Sequence, residues 1–301
     1  MNQSNTLAGA GFMLFSTLCF SVMHAMIQYL GNTGMHGFEI AFFRNFFGFF
    51  ALLPILMRHG LAPFRTTRLP LHGLRAVVNS VAMLLFFYGI TTGIALGLVQ
   101  ALTFTAPLFV SVLAVLFLGE RFRVHRTTAL VIGFVGALII LRPGVAEIPT
   151  GAIYILCSAM VWGVAMIIIK RLTATDSAVT VALYMVLMMG PISGIAAAFV
   201  WTWPTPEQWP WLVAIGIVGT VAQLSFTQAF RLADATAVLP FDFGKLIFSA
   251  LLGYFLFAQV LDIWVWVGGA LIFFGGFYIT WRERKVKGVV ETVQPDPARP
   301  A

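Results

Sequence analysis

Lys245 lies about nine residues into an apolar run covering 236–258, with Asp242 three residues before it. At that spacing two side chains share one face of a helix. An ammonium group inside hydrocarbon costs on the order of 2.5–3.5 kcal/mol, so Lys245 needs a partner or a wet cavity. Two readings stand. The pair neutralises itself and only stabilises its helix, or it lines a cavity where Lys245 meets a substrate carboxylate and Asp242 an ammonium. A dipolar pair of this kind suits a zwitterion.

Other polar and aromatic residues inside apolar runs join this candidate set. His24, Gln28, Asn79, Gln100, Gln223 and Gln228 are imidazole or amide groups whose unpaired burial in hydrocarbon is costly. Their faces therefore point inward, to interhelical hydrogen bonds or to a ligand. His24 is also the only histidine deep in an apolar run, and it titrates in the range useful for proton coupling. Trp162, Tyr88 and Phe104 offer faces for stacking on a flat or aromatic solute, although packing explains most aromatics in a chain that is 14% aromatic. Arg44 lies within its run with Glu39 five residues away, too far round a helix for a good pair. A salt bridge to another helix or snorkelling outward is the expected role, and substrate contact the alternative. Pro107 and Pro240 interrupt their runs; each removes an intrahelical hydrogen bond and predicts a kink or hinge.

The elements that must position these residues are ten apolar runs, at approximately 8–30, 38–57, 73–92, 96–118, 127–141, 150–169, 178–201, 211–230, 236–258 and 263–281. Most approach the roughly 20 residues that cross a hydrocarbon core. The chain of 301 residues is 60% hydrophobic and only 10% charged, which excludes a soluble two-domain protein. Fourteen of its 18 Lys and Arg residues fall in alternate loops: Arg58, Arg65, Arg68 and Arg75; Arg121, Arg123 and Arg126; Lys170 and Arg171; Arg231; and Arg282, Arg284, Lys285 and Lys287. The opposite loops hold Arg142 alone. Basic loops stay inside, so both termini are expected in the cytoplasm, with the lipid bilayer as the surrounding partner. This asymmetry accounts for the net charge of +7, and a nucleic-acid partner is not needed. Trp201, Trp203, Trp209, Trp211, Trp264, Trp266 and Trp281 sit at run ends, as interfacial belts do.

Several chemistries find no motif. Cys19 and Cys157 have no metal-ligand spacing, and no phosphate-binding G-x-x-x-x-G-K-[ST], H-E-x-x-H or G-x-S-x-G is present. No metal, cofactor or catalytic residue is expected, and short loops leave no room for a soluble catalytic domain.

Laying residues 86–120 on 225–259 without gaps sets Phe87 on Phe226, Ala101 on Pro240, Phe104 on Phe243 and Glu120 on Gln259. A second overlay sets Gly9-Ala10 on Gly151-Ala152, Ser16 on Ser158 and Leu30 on Leu172. Five helices per half make the second half cross in the opposite sense, an arrangement that places a site near the midplane. The expected fold is an all-α integral membrane protein of ten transmembrane helices in two inverted five-helix repeats. The halves would be 1–145 and 146–282, followed by a disordered cytoplasmic tail at 283–301.

Ala106-Pro107-Leu108 leading to Leu118-Gly119-Glu120, the second copy ending Phe257-Ala258-Gln259, and glycines 133, 136, 275 and 276 carry a family resemblance. Across residues 8–282 the chain resembles the drug/metabolite transporter superfamily, in particular its EamA-type members, and within it amino-acid exporters of the YddG type. Gln259 replaces the usual glutamate and Leu246 the usual proline in the second copy. The resemblance implies a secondary transporter in the bacterial inner membrane that exports small organic metabolites by alternating access, amino acids first. Flavins, nucleotide-like metabolites and drugs are the alternative substrates, and an intramembrane enzyme the remote one. A monomer or weak homo-oligomer is expected.

Overall fold

A computed structural model describes residues 3–59, 66–118, 124–145, 147–172, 178–233 and 235–293. The described residues form twelve helices and no strand. These are α1 (Gln3–Asn32), α2 (Gly37–His59), α3 (Leu69–Thr91), α4 (Leu96–Thr103), α5 (Ala106–Leu118), α6 (Val124–Leu141), α7 (Thr150–Leu172), α8 (Ala178–Ala198), α9 (Trp209–Leu232), α10 (Ala235–Asp242), α11 (Gly244–Phe257) and α12 (Ile263–Val293). The pairs α4/α5 and α10/α11 are each one apolar run broken in the middle, so the twelve helices are ten spans. Six stretches are long and apolar enough by themselves to cross a membrane, the broken run Leu96–Leu113 among them, with shorter apolar helices beside them. α12 continues past residue 282 to Val293, where the sequence suggested a disordered tail. Glu120 and residues 294–301 lie outside the described residues.

The two breaks have a common cause and different geometry. Pro107 occupies the second position of α5, where a missing N–H costs nothing, and it starts the second half of its run. Pro240 lies inside α10, two residues before that helix stops at Asp242. Near the first break hydroxyls take up carbonyls: Thr103 Oγ1 donates to Val99 O at 2.8 Å and Thr105 Oγ1 to Leu102 O at 2.6 Å. Irregular backbone at this depth requires such partners, because lipid offers none.

The halves interlock reciprocally. α1 packs along α9 and α7 along α3. Ser16 Oγ donates to Ala222 O at 2.8 Å, and Ser158 Oγ donates to Ala82 O at 2.7 Å. Ser16 and Ser158 are mates in the sequence overlay, so the same bond is made twice, once per half. The repeat mates Phe104 and Phe243 stack on each other, centroids 5.7 Å apart and planes at 19°. A residue can touch its own mate only beside the axis relating the halves, so that axis runs between the two breaks. Along α6 and α12, Gly136 approaches Gly268 and Ile272, while Ile140 approaches Gly268. Residue numbers that run in opposite directions across a contact mean antiparallel helices, so the second half is inverted.

Replacing Ser16 or Ser158 by Ala should cost about 1 kcal/mol each, the usual size of an interhelical hydrogen bond in a membrane. The two losses should be equal within error in thermal unfolding in detergent; a large inequality would mean that the two bonds are not equivalent.

The glycines at 89, 93 and 97 do three separate jobs. Gly93 holds φ +82° in the α3–α4 turn, a conformation that suits glycine. Gly89 lets α3 lie against Ile155 and Gly151 of α7, and Gly97 makes room for Leu261. Gln259, at the end of the second repeat motif, ties two spans together. Its Oε1 accepts from Leu96 N at 3.0 Å, covering an otherwise uncapped N–H at the start of α4, and its Nε2 donates to Gln28 Oε1 at 3.1 Å. Gln28 in turn donates to Ile94 O at 2.7 Å.

Candidate functional site

The second break carries the charged pair. Asp242 ends α10, Lys245 is the second residue of α11, and Phe243 turns the chain between them. Asp242 thus stands before the N-terminus of α11, where unsatisfied N–H groups favour an anion. Lys245 Nζ lies 2.6 Å from Asp242 Oδ1, and the two side chains keep 18% and 17% of their exposure. The contact is ionic, without the direction of a good hydrogen bond. The ammonium also sits 5.2 Å from the ring centroids of both Phe20 and Phe226, close enough for cation–π attraction.

Helix α1 brings the next groups to this point. It can do so because Gly244 carries no side chain: a Cβ there would come within 3.1 Å of Thr17 Oγ1. Ser21 Oγ donates to Lys245 O at 3.3 Å and receives a bond from Ser249 Oγ at 3.0 Å. One helical turn beyond Phe20 is His24, buried, stacked on Phe20 at 6.2 Å and edge-on to Phe86 at 5.0 Å. Its Nδ1 is 2.8 Å from Gln100 Nε2, a contact in which the amide donates and the ring nitrogen accepts. Four residues expected from the sequence therefore converge: Lys245, Asp242, His24 and Gln100.

Trp162 stands on α7. It is 41% exposed, yet it lies on the helix face of Ile155 and Ser158, which pack on α3, and opposite the face of Ile153 and Met160, which are exposed toward lipid. The overlay that pairs Ser16 with Ser158 also pairs Phe20 with Trp162. Asn79 lies on the α3 stripe that presents Phe86 to His24, two turns away; it is buried, and its Oδ1 accepts no hydrogen bond among the described residues.

Tyr88 is placed elsewhere. It packs edge-on to Tyr154 at 4.8 Å and against His36 at 5.1 Å, beside the α1–α2 turn. Gly37 closes on its backbone, since a Cβ there would meet Tyr88 N at 2.7 Å. The structure does not bring Tyr88 to the Lys245 group.

Arg44 differs from its expected roles of salt bridge or outward snorkelling. Its Nη1 donates to Asn45 Oδ1 at 3.1 Å and its Nε hangs over Gly219 of α9, where an added Cβ would lie 3.4 Å away. Glu39 is occupied with the α8–α9 connection, accepting from Thr202 N at 2.5 Å. The α9 stripe of Gly219, Gln223 and Phe226 faces these groups, and Gln223 on it is exposed. Phe20 and Phe226 escaped sequence reasoning, because an aromatic in an apolar run carries no local sign of function. Among the described residues no group of three or more His, Cys, Asp or Glu side chains could hold a metal.

Comparison with known proteins adds an independent line. The model of the EamA-like transporter family matches residues 7–142 and again 149–281. The chain is 30% identical to the S-adenosylmethionine uptake transporter of Rickettsia felis, over 93% of this chain and 94% of that one. It is 32% identical to the riboflavin transporter of Rhizobium johnstonii, over 95% of each. A solved crystal structure shares the fold at TM-score 0.59 and 18% identity, covering 95% of this chain and 99% of that one.

Proposed function

This chain belongs to the EamA-like transporter family, and from that premise we propose that it carries a flat heteroaromatic metabolite, flavin-like or nucleoside-like, across the bacterial inner membrane. The observation that carries the reading is the Lys245–Asp242 pair set between Phe20 and Phe226, with His24, Gln100 and Phe86 adjoining. Ring faces bind a flat ring system, and the few polar groups orient it. The two relatives named above, for S-adenosylmethionine and riboflavin, both handle heteroaromatic compounds. The amino-acid exporter reading of the sequence therefore gives way to its alternative. One observation still favours an amino acid, since the adjacent opposite charges of Lys245 and Asp242 suit a zwitterion.

Transport proceeds by alternating access. The halves, residues 1–145 and 146–282, rock about the breaks at Pro107 and Pro240, with the Phe104–Phe243 stack near the axis. Both termini lie in the cytoplasm, and the protein works as a monomer or weak homo-oligomer. Asn79 and Trp162 complete the walls of the cavity.

Counterflow of labelled riboflavin, S-adenosylmethionine and phenylalanine into proteoliposomes tests this reading. Exchange of either heteroaromatic compound in preference to phenylalanine is the expected result; phenylalanine exchange alone would restore the amino-acid reading. Trp162→Ala should lower riboflavin exchange about tenfold, because stacking of a base on an aromatic side chain contributes roughly 1–3 kcal/mol. A loss of the same size for every solute would instead mark Trp162 as packing.

A further inference from the structure

Arg44 is a cation inside the spanning helices that the Lys245–Asp242 pair does not account for. It stands in α2 one turn before Gly48, which lies against Gly216 and Thr220 of α9. The guanidinium extends over Gly219, and among the described residues its hydrogen bond goes to the neutral amide of Asn45. Asn45 is itself anchored, donating to Ser193 Oγ at 3.1 Å, so Arg44 is held at a defined position. No carboxylate pairs with Arg44 among the described residues. Glu39 accepts from Thr202 and from His36 N, and Asp242 is taken by Lys245.

The charge count of this interior is therefore uneven. Arg44 lies over Gly219 and Lys245 beside Phe226, two turns further along the same α9 stripe, and among the described residues Asp242 is the carboxylate paired there. A guanidinium inside spanning helices without a counter-charge is costly, and it persists where it has a use. Its planar fork matches a carboxylate or phosphate through paired hydrogen bonds.

We propose that Arg44 and Lys245 form an oxyanion receptor for a carboxylate or phosphate group on the transported metabolite, whose ring lies among Phe20, Phe86 and Phe226. The inference rests on the transporter reading and narrows its substrate class to metabolites that carry a negative group. Lys245 then exchanges Asp242 for the substrate anion as the site fills, and Arg44 gains the counter-charge it lacks.

Two matched pairs of probes test it by counterflow into proteoliposomes. Riboflavin and flavin mononucleotide share a ring system and differ by a phosphate. Methylthioadenosine and S-adenosylhomocysteine share a nucleoside thioether and differ by an amino-acid group. The member that carries the phosphate or carboxylate in at least one pair should exchange tenfold or more faster, and loss of that preference in Arg44→Gln assigns it to the oxyanion rather than to the ammonium of the amino-acid group. Arg44→Gln should bring that ratio close to one, and Arg44→Lys should restore part of it. Equal exchange within both pairs, or a preference that survives Arg44→Gln, would overturn the receptor and leave the transporter reading intact. Exchange of none of the four would count against the proposed metabolite class. The receptor is then decided by thermal unfolding of the purified protein. Inorganic phosphate or acetate should raise the midpoint over chloride at matched ionic strength in the wild type but not in Arg44→Gln. No rise in the wild type would overturn it.

Discussion

Lys245→Met is expected to cut substrate exchange by about 100-fold while the protein still reaches the membrane. Removing one partner of a close charge pair costs roughly 2–5 kcal/mol when the pair is buried; this pair is mostly buried and belongs at the lower end, and each 1.4 kcal/mol is tenfold. The variant also leaves Asp242 without its cation, 2.6 Å away in the native structure, so part of the loss would be instability rather than lost contact. The double variant Asp242→Asn with Lys245→Met separates the two. With both charges gone, unfolding in detergent should return toward the wild-type midpoint. Exchange of riboflavin or S-adenosylmethionine should stay low, because the group that meets the substrate is still missing. Near-normal exchange by the double variant would show that the pair serves its helix alone, the other reading open from the sequence.

The largest effect on stability is expected at Gly268. A Cβ placed there overlaps the Gly136 carbonyl oxygen and comes within 2.6 Å of Ile140 Cγ1. The obstacle is backbone of the antiparallel helix, which no rotamer change can move, so Gly268→Leu must push α12 away from α6. Overpacking of this kind costs typically 1–3 kcal/mol and occasionally more; backbone against backbone belongs at the upper end. A fall in unfolding midpoint on the order of 10 °C follows. Gly11→Ala is the control, because nothing lies within 4 Å of a Cβ at Gly11, and alanine is the better helix former. That variant should be neutral or slightly more stable. Equal behaviour of the two variants would remove the close α6–α12 approach as the cause.

The Arg44 interior also shows why the site was harder to read than the fold. Glu39 and Arg44 are too far round α2 to pair, and their spacing does not specify where either goes. Glu39 found the backbone of Thr202, and Arg44 found Gly219; both partners lie more than a hundred residues away. Tyr88 and Trp162 are both aromatic candidates in apolar runs, Trp162 the stronger because it alone among the tryptophans lies mid-run. Packing seats Tyr88 among His36 and Tyr154, and leaves Trp162 exposed on the α7 face that carries Ile155 and Ser158.

The sequence alone determined what depends on local composition and period. Apolar runs long enough to span lipid become helices, because hydrocarbon offers their backbone no other hydrogen-bond partner. Prolines at 107 and 240 mark where two of those runs break, and the overlays of 86–120 on 225–259 and of Ser16 on Ser158 disclose the duplicated halves. Only the tertiary structure decided which polar groups converge. Lys245, Phe20, His24, Gln100 and Phe226 come from four different spans, and their meeting depends on glycine contacts such as Gly244 on Thr17 and Gly219 beneath Arg44. Those contacts set the distance and rotation between helices. Neither quantity is written in the spacing of residues along any one of them.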